Sequence, residues 1–249
     1  MARVLLAGES WISQATHFKG FDSFTSVTFH TGADEYIAAL GRQGVEVEQM
    51  YAHDVPERFP RDLEALSAYD VVILSDIGSN SFLLPPSTWI RGQSEPNRLR
   101  LLADWVRGGG GLLMAGGYLS FQGFQARANF ARSPLGAVLP VDMSDYDDRV
   151  EAPEGIGPAL VAPDHPVGAA WRGEAPAILG YNRVRAKPDA TLVAKAGEDV
   201  LIAAGEYGSG RSLVWTSDIG PHWCPDEFIR WDGFGPLMAA MIHWLCRTI

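Results

Sequence analysis

The stretch that most constrains the fold runs from Trp105 to Phe124, with the sequence WVRGGGGLLMAGGYLSFQGF. Its pattern predicts the end of a helix, a glycine break, a short buried strand and a turn into another helix. In α/β proteins, a strand-to-helix turn of this kind is where a catalytic nucleophile is most often displayed. Here the turn carries Tyr118, Leu119 and Ser120, with no cysteine. We therefore expect an α/β protein whose central turn lacks a thiol.

Other patterns in the first half of the chain predict a parallel sheet. Residues 3–8 and 70–75 are continuous apolar runs, typical of parallel strands buried on both faces. Residues 32–44 and 97–107 carry apolar stripes with helical spacing. Strands that alternate with helices imply parallel pairing through right-handed crossovers.

The second half is richer in hairpins, so we expect antiparallel strands to be added to the sheet there. Residues 200–206 and 212–216 flank a glycine-rich turn and predict one such hairpin. Residues 12–30 show no clean period and predict a long structured loop, which in compact domains is often functional. No linker divides the chain, so residues 1–249 are interpreted as a single domain.

The composition argues against several classes of protein. The 249 residues include 20 Lys and Arg against 30 Asp and Glu, a net charge of -10. Nucleic-acid and anionic-membrane partners are not expected, because both need a basic surface. No apolar run approaches about 18 residues and no signal peptide is evident, so a cytoplasmic protein is expected. Cys224 and Cys246, the only cysteines, lie among apolar residues and predict buried free thiols.

Four polar or glycine-rich connections follow predicted strands, at residues 9–11, 76–80, 117–122 and 218–223. In open α/β sheets, ligands bind outside the carboxyl ends of the strands. These connections are therefore expected to meet at one binding site. The candidate substrate-binding residues within them are Glu9, Ser10, Trp11, Asp76, Asn80, Gly117 and Ser120.

The same connections supply the catalytic candidates. His222, with Asp218 four residues before it, is the best acid/base candidate, although a hydrogen-bonded loop histidine capped by Trp223 is the alternative. Tyr118 could be a general acid or hydrogen-bond donor, or an aromatic ring packed over the turn. Ser120 could be a nucleophile beside a histidine, but a helix N-cap is the commoner role.

The remaining candidates also leave alternatives open. Glu9 and Asp76 could form a carboxylate pair or cap helices. Gly116 and Gly117 could let a pair of backbone N–H groups face a ligand oxyanion, or could serve close packing.

Metal and nucleotide sites have little support. Asp218, His222 and His17 could bind a metal, but no HxH or HExxH spacing accompanies them, so no metal ligand is predicted. Gly108–Gly111 precedes a strand, whereas a Rossmann fingerprint follows one, and no P-loop sequence is present. No cofactor is predicted.

Several long motifs resemble those of a known family. They are GESW, HFKGFD, YDVVILSDIGSN, GGGLLMAGGYLSFQGF, DDRVEAPEG, LGYN and TSDIGPHW. From about Val4 to Trp244 the chain resembles the putative glutamine amidotransferases, of the class I glutamine amidotransferase-like superfamily. The hairpin sequence YGSGRSLVWTSD also resembles the closing strands of ThuA-like proteins. The resemblance implies a flavodoxin-like three-layer α/β/α sandwich, with added antiparallel strands in the C-terminal half.

The resemblance also bears on the chemistry. The superfamily's glutaminases carry a cysteine in a GxCxG elbow after a strand, and later a His and a Glu two residues apart. By this resemblance Tyr118 stands where the nucleophile would be, and Asp218 and His222 follow the late strand with a different spacing. Without a thiol no thioester can form, and tyrosine is a poor replacement because its ordinary pKa is about 10.

We therefore predict a protein that binds or transforms a small polar metabolite, sugar-like or amino-acid-like, instead of hydrolysing glutamine. His222 would be the base with Asp218 orienting it, while Tyr118 and the backbone near Gly117 would contact the reacting oxygen. The alternatives are a non-catalytic binding or assembly module and, with less support, a metal-dependent hydrolase. A homo-oligomer stays open, since several of the eight tryptophans lie near loops and suit interfaces.

Overall fold

The structure is a computed structural model that describes residues 2–249. Its strands, in chain order, are β1 (Arg3–Gly8), β2 (Ser10–Lys19), β3 (Asp22–Thr31), β4 (Glu46–Met50), β5 (Val71–Ser75), β6 (Gly111–Ala115), β7 (Val141–Met143), β8 (Arg149–Ile156), β9 (Pro158–Leu160), β10 (Ile178–Asn182), β11 (Val184–Ala186), β12 (Thr191–Ala196), β13 (Asp199–Tyr207) and β14 (Gly210–Trp215). Its α-helices are α1 (Asp34–Arg42), α2 (Val55–Arg58), α3 (Leu63–Leu66), α4 (Asn80–Leu83), α5 (Pro86–Trp89), α6 (Arg98–Arg107), α7 (Leu135–Val138), α8 (Asp226–Ile229) and α9 (Phe234–Leu245).

An eight-stranded mixed sheet forms the centre, in the order β4-β1-β5-β6-β14-β13-β12-β9. The five strands from β4 to β14 pair in parallel, and the last three add antiparallel strands. Strands β5 and β6 are buried along their whole length, as continuous apolar runs on a covered sheet should be. The predicted parallel sheet with an antiparallel extension is confirmed.

Apolar clusters on the two faces of the sheet give the three layers. One cluster joins the sheet to α1 and α9 through buried side chains such as Tyr36, Leu40 and Leu237. The other joins it to α6 through Leu99 and Leu102. The predicted three-layer α/β/α sandwich is therefore confirmed. Among residues 2–249, no helix has the length and apolar character that crossing a membrane requires.

The segment predicted as a long loop, residues 12–30, is instead a regular hairpin of β2 and β3. The two strands pair in antiparallel register from Ser10–Thr31 to Lys19–Asp22 and form a separate two-stranded sheet. Most of their side chains are exposed on both faces. Because neither face is buried, the sequence carries no alternation of apolar and polar residues, and the loop prediction was wrong for that reason.

The turn after β6 also differs from the prediction, because no α-helix follows it. The backbone instead passes through positive φ at Phe121 (52°) and Gln125 (52°), which interrupts any helix, and only a single 3₁₀ turn spans Phe124–Ala126. The buried carboxylate of Asp148 holds this path by accepting the backbone N–H groups of Gln122 and Gly123 at 2.9 and 2.8 Å.

Candidate functional site

The connections after β1, β5, β6 and β14 meet at the carboxyl edge of the parallel strands. They enclose an open cavity of about 380 Å³, a size suited to a small ligand. The residues that line it are Glu9, Trp11, Asp76, Tyr118, Asp218, Pro221 and His222. Each of the four connections singled out from the sequence therefore contributes to one cavity.

Glu9 reaches the cavity because the chain leaves β1 through an unusual backbone turn. Gly8 has a φ of 108°, and a Cβ there would overlap the carbonyl oxygen of Ser75. Glu9 itself has a φ of 49°, a left-handed conformation that non-glycine residues adopt at some cost. Ser75 fixes it, accepting the Glu9 N–H at 2.8 Å and donating its hydroxyl to Glu9 Oε2 at 2.6 Å. Strained residues of this kind cluster at functional sites.

Asp76 leaves β5 in a similar left-handed turn, with a φ of 44°. Its Oδ1 accepts the backbone N–H of Leu119 at 2.6 Å, and its own N–H donates to Ser120 Oγ at 3.0 Å. In hydrolase elbows, the N–H of the residue after the nucleophile binds the oxyanion. Leu119 follows Tyr118, which the sequence resemblance alone places at the nucleophile position, and its N–H is already bound by the carboxylate of Asp76.

The two glycines of the elbow do not present N–H groups to the cavity. Gly116 donates to the carbonyl oxygens of Trp215 and Ser217, both at 2.8 Å. Gly117 donates to Asn182 Oδ1 at 3.0 Å. The oxyanion alternative from the sequence is therefore wrong for this pair, and close packing is the role that the geometry gives them. At Gly117, a Cβ would lie 2.9 Å from Asp76 Oδ1.

Asp218 and His222 lie together on the fourth connection. His222 Nδ1 lies 3.5 Å from Asp218 Oδ2, and the side chain of Asp218 is 4% exposed against 52% for His222. Within residues 2–249, Asp218 Oδ1 is buried with no hydrogen-bond partner. The Tyr118 ring meets the His222 ring edge-on at 4.8 Å, and this contact holds the imidazole at the cavity wall.

Burial shapes the electrostatics of the three carboxyl groups. Burial, and then the charge of Asp76, raises the pKa of Glu9 to about 8. Burial, followed by the charges of Glu9 and Asp76, raises the pKa of Asp218 well above its usual range. Burial also raises the pKa of Asp76, although the Leu119 N–H and the nearby His222 oppose this rise. Near neutral pH the cluster therefore retains protons that it can exchange.

Tyr118 lies in the turn after β6, and its hydroxyl group is not activated as a nucleophile. Burial and the nearby carboxylate of Glu151 raise the pKa of its phenol, so the hydroxyl stays protonated at neutral pH. The guanidinium of Arg149 lies over its ring, 4.6 Å from the centroid, and also over the ring of Phe124 at 4.4 Å. These contacts hold the tyrosine ring in place as part of the cavity wall. This role is close to the alternative from the sequence in which the ring packs over the turn.

Four predicted binding residues do not line the cavity, and Gly117, described above, is one of them. Ser10 is buried and its Oγ accepts the backbone N–H of Ala52 at 2.8 Å. Asn80 is exposed as the first residue of α4. Ser120 is buried and holds the backbone of Asp76, so it caps no helix and faces no histidine base.

The metal alternative also lacks a ligand set. His17 lies along the β2–β3 hairpin, where its Nε2 is 2.8 Å from Ser26 Oγ, and it does not line the cavity. No group of three or more His, Cys, Asp or Glu side chains in the described part of the chain is arranged to hold a metal ion.

Sequence reasoning missed the buried hydrogen bonds that hold the turn after β6 in place. Asn182 is fully buried at the end of β10, where its Nδ2 donates to Asp148 Oδ1 at 2.9 Å while its Oδ1 accepts from Gly117. The only sequence signal for this contact was the polar ending of the LGYN motif. The sequence did predict that the connections of Glu9, Asp76 and Asp218 meet, and the pairing of β14 with β6 brings Asp218 to that place.

Comparison with known proteins identifies relatives of this chain. A family model described as "Putative glutamine amidotransferase" matches residues 3–247. The chain is similar to the cytoplasmic protein STM3548 from Salmonella typhimurium, with 42% identity, a TM-score of 0.94, and coverage of 97% of this chain and 98% of that one. It is equally similar to the cytoplasmic protein STM1381 from Salmonella typhimurium LT2, with 42% identity, a TM-score of 0.93, and coverage of 98% and 99%.

A more distant likeness concerns the fold alone. A putative ThuA-like protein from Bacteroides uniformis ATCC 8492 has a TM-score of 0.56 at 10% identity, with 98% of this chain and 91% of that chain covered. The search of curated proteins gave no match.

Proposed function

The chain belongs to the family of putative glutamine amidotransferases, and from this premise we propose that it keeps the fold but not the thiol chemistry of glutaminases. In this proposal the cavity at the strand ends binds or transforms a small polar metabolite. The observation that carries it is the convergence of four strand-end connections on one cavity lined by Glu9, Asp76, Asp218 and His222.

Three features of the elbow argue against glutamine hydrolysis. By the sequence resemblance Tyr118 takes the position of the nucleophile, and the raised pKa of its phenol keeps it protonated at neutral pH. The carboxylate of Asp76 holds the N–H that would stabilise an oxyanion, and a negative charge there would oppose a second one. Neither cysteine lines the cavity, and burial raises the pKa of both the Cys224 and the Cys246 thiol, so neither supplies a thiolate.

His222 is the group best placed for proton transfer in this cavity. Its imidazole is half exposed on the cavity wall, with buried Asp218 behind Nδ1. A buried carboxyl in that position fixes the ring orientation, and its ionised form stabilises the imidazolium that forms when the ring accepts a proton. A hydrolytic or isomerising step with His222 as base is therefore the reaction class that we propose.

A thermal-shift screen of metabolites tests this function. We expect at least one small polar compound to raise the melting temperature of the wild-type protein, and His222→Ala to abolish that shift. His243→Ala, on α9 outside the cavity, is the matched control and should keep the shift. A hit whose shift survives His222→Ala would place the ligand elsewhere and contradict the proposal.

One observation favours an assembly role as the second candidate, with a second copy of this chain as the partner. The β2–β3 hairpin exposes Ile12, Phe18 and Phe21 to 56%, 78% and 110%. An isolated two-stranded ribbon is at best marginally stable in water, so a covering partner would stabilise it. Lys19 and Asp22 are its only Lys, Arg, Asp or Glu residues, whereas the chain carries -10, so two copies could meet here with little repulsion.

Light scattering after size-exclusion chromatography tests this assembly. We expect the wild-type protein to form a dimer or larger oligomer and the double variant Phe18→Ser and Phe21→Ser to be monomeric. Trp89→Ser, which removes a 73% exposed tryptophan on α5, is the control and should leave the assembly intact. A wild-type monomer at micromolar concentration would contradict the assembly role and leave the cavity proposal untouched.

We also propose a cytoplasmic location, supported by the names of the two Salmonella relatives that share 42% of their residues with this chain. Fractionation of cells that express the tagged protein tests this location, and recovery in the membrane or periplasmic fraction would contradict it.

A further inference from the structure

The cavity is lined by three acidic side chains and by no Lys or Arg. The three carboxyl groups, Glu9, Asp76 and Asp218, line it together with one histidine and two aromatic rings. Arg149, which lies over the ring of Tyr118, is already paired, since it lies 2.9 Å from Asp147 Oδ2 and 3.6 Å from Glu151 Oε1. An anionic ligand would therefore meet negative charge with no cation free to bind it.

A second observation is that one carboxyl oxygen of the acidic cluster lacks a donor. Within residues 2–249, Asp218 Oδ1 is buried with no hydrogen-bond partner, although Asp218 lines the cavity and is only 3% exposed. The side-chain hydrogen bond that Glu9 receives comes from a neutral hydroxyl, Ser75 Oγ. Buried carboxyl oxygens usually have donors, and an unpaired one costs free energy, so these atoms fit a ligand that brings N–H groups.

The chemistry of the walls narrows the ligand class further. An ammonium group carries a positive charge and up to three N–H donors, which matches several carboxyl oxygens at once. Trp11 stacks on His30 at 5.1 Å and lines the cavity beside the acidic floor, which suits a cation held near an aromatic ring. A bare metal ion fits less well, because no set of three ligands in the described part of the chain is arranged to hold one.

We propose that the cavity binds a small organic ammonium ion, a primary amine whose nitrogen sits among Glu9, Asp76 and Asp218. This inference rests on the proposed function, because it takes the cavity as the ligand site and names the class of ligand. It excludes glutamine as a good ligand as well, since the α-carboxylate of glutamine would find no free cation in the cavity.

Binding of a cation should also move protons. Near neutral pH the carboxyl cluster retains protons, because burial and mutual repulsion raise the pKa of its members. An ammonium ion favours their ionised forms, so protons are released on binding and affinity rises with pH while the amine stays charged. The other titratable groups facing the cluster, His222, Tyr118 and Cys224, do not reverse this direction, since a protonated His222 would only repel the cation further.

Calorimetric titration with matched probes tests the inference. The probes are benzylamine and 1,4-diaminobutane, their alcohols benzyl alcohol and 1,4-butanediol, and their carboxylates benzoate and succinate. We expect the amines to bind at least about tenfold more tightly than the alcohols, and the carboxylates not to bind. The heat of amine binding should differ between phosphate and HEPES buffers, because released protons are taken up by the buffer, and neither buffer contains a primary amine.

Two substitutions locate the amine nitrogen. Asp218→Asn and Glu9→Gln should each weaken amine binding by at least about tenfold, whereas Asp145→Asn, in an exposed acidic loop, should not change it. Circular dichroism confirms that each variant is folded, and the use of two variants keeps the test valid if one is not.

Three results would overturn the inference. They are alcohols that bind as well as amines, amines that do not bind at millimolar concentration, and amine binding that survives both substitutions. A neutral or anionic metabolite whose thermal shift is lost in His222→Ala would overturn the ammonium inference alone, and the proposed function would stand.

Discussion

Replacing Glu9 with glutamine should stabilise the protein at alkaline pH, although it removes a side chain from the centre of the site. The carboxyl of Glu9 is 2% exposed and lies in the field of Asp76 and Asp218. A neutral amide of nearly the same shape avoids the cost of burying that charge. Its carbonyl oxygen can still accept the hydroxyl of Ser75, which donates to Glu9 Oε2 at 2.6 Å.

The magnitude follows from the pKa of Glu9, which is about 8 in the folded protein. An unfolded glutamate has a pKa of about 4.3. Because the folded value is the higher one, the stabilisation is fully present below about pH 4 and is lost as the pH rises towards 8. At about 1.4 kcal/mol per pH unit, the difference between the two values corresponds to a loss of about 5 kcal/mol by pH 8, or about 10–20 °C in melting temperature for a chain of this size.

Thermal and urea unfolding between pH 4 and 9 provide the assay. We expect wild type to lose stability relative to Glu9→Gln as the pH rises, with the variant more stable at pH 8 and near wild type at pH 4. Glu64→Gln, an exposed substitution on α3, is the control and should run parallel to wild type. If Glu9→Gln lowers stability by the same amount at every pH, the folded protein does not disfavour the ionised form of the Glu9 carboxyl, and the electrostatic account of the site is wrong.

Two further substitutions test the scaffold. Arg98→Ala should lower the free energy of unfolding in urea by about 3–5 kcal/mol, since the buried guanidinium donates to the carbonyl oxygens of Phe82, Val55 and Pro56 at 2.8–3.0 Å. Arg98→Lys should not restore the loss, because an ammonium group cannot reproduce the planar set of donors of a guanidinium. A loss below about 1 kcal/mol for Arg98→Ala would contradict this prediction. Asn182→Ala should cost about 1–3 kcal/mol, since it leaves the N–H of Gly117 without a partner, and unchanged unfolding would show that the elbow does not depend on it.

The sequence predicted the parallel part of the fold because its signals are local. Buried strands such as β5 and β6 are continuous apolar runs, and α6 begins where Asn97 accepts the N–H of Arg100 at 3.0 Å, as an N-cap should. The β2–β3 hairpin was missed because the signal for a strand is one buried face, and this ribbon has none. The turn after β6 was missed because several of its positive φ angles lie at non-glycine residues such as Phe121.

The site was predictable in outline but not in its contacts. The rule that ligands bind at the carboxyl ends of strands predicted, from the sequence alone, that Glu9, Asp76, Tyr118 and His222 lie close together. It could not show that Asp76 binds the elbow N–H, because that contact joins residues 43 positions apart in the sequence. Side-chain direction also decides which polar residue of a connection faces the cavity, and sequence spacing does not encode it.

Ammonia release from glutamine is the most direct test of the central claim, that this member of the family does not use the glutaminase route. With purified wild-type protein and millimolar glutamine, we predict ammonia at the level of the protein-free control, unchanged in Tyr118→Phe, Cys224→Ala and Cys246→Ala. Release above that level which is lost in Tyr118→Phe or in either cysteine variant would contradict the account and restore glutamine hydrolysis to this elbow.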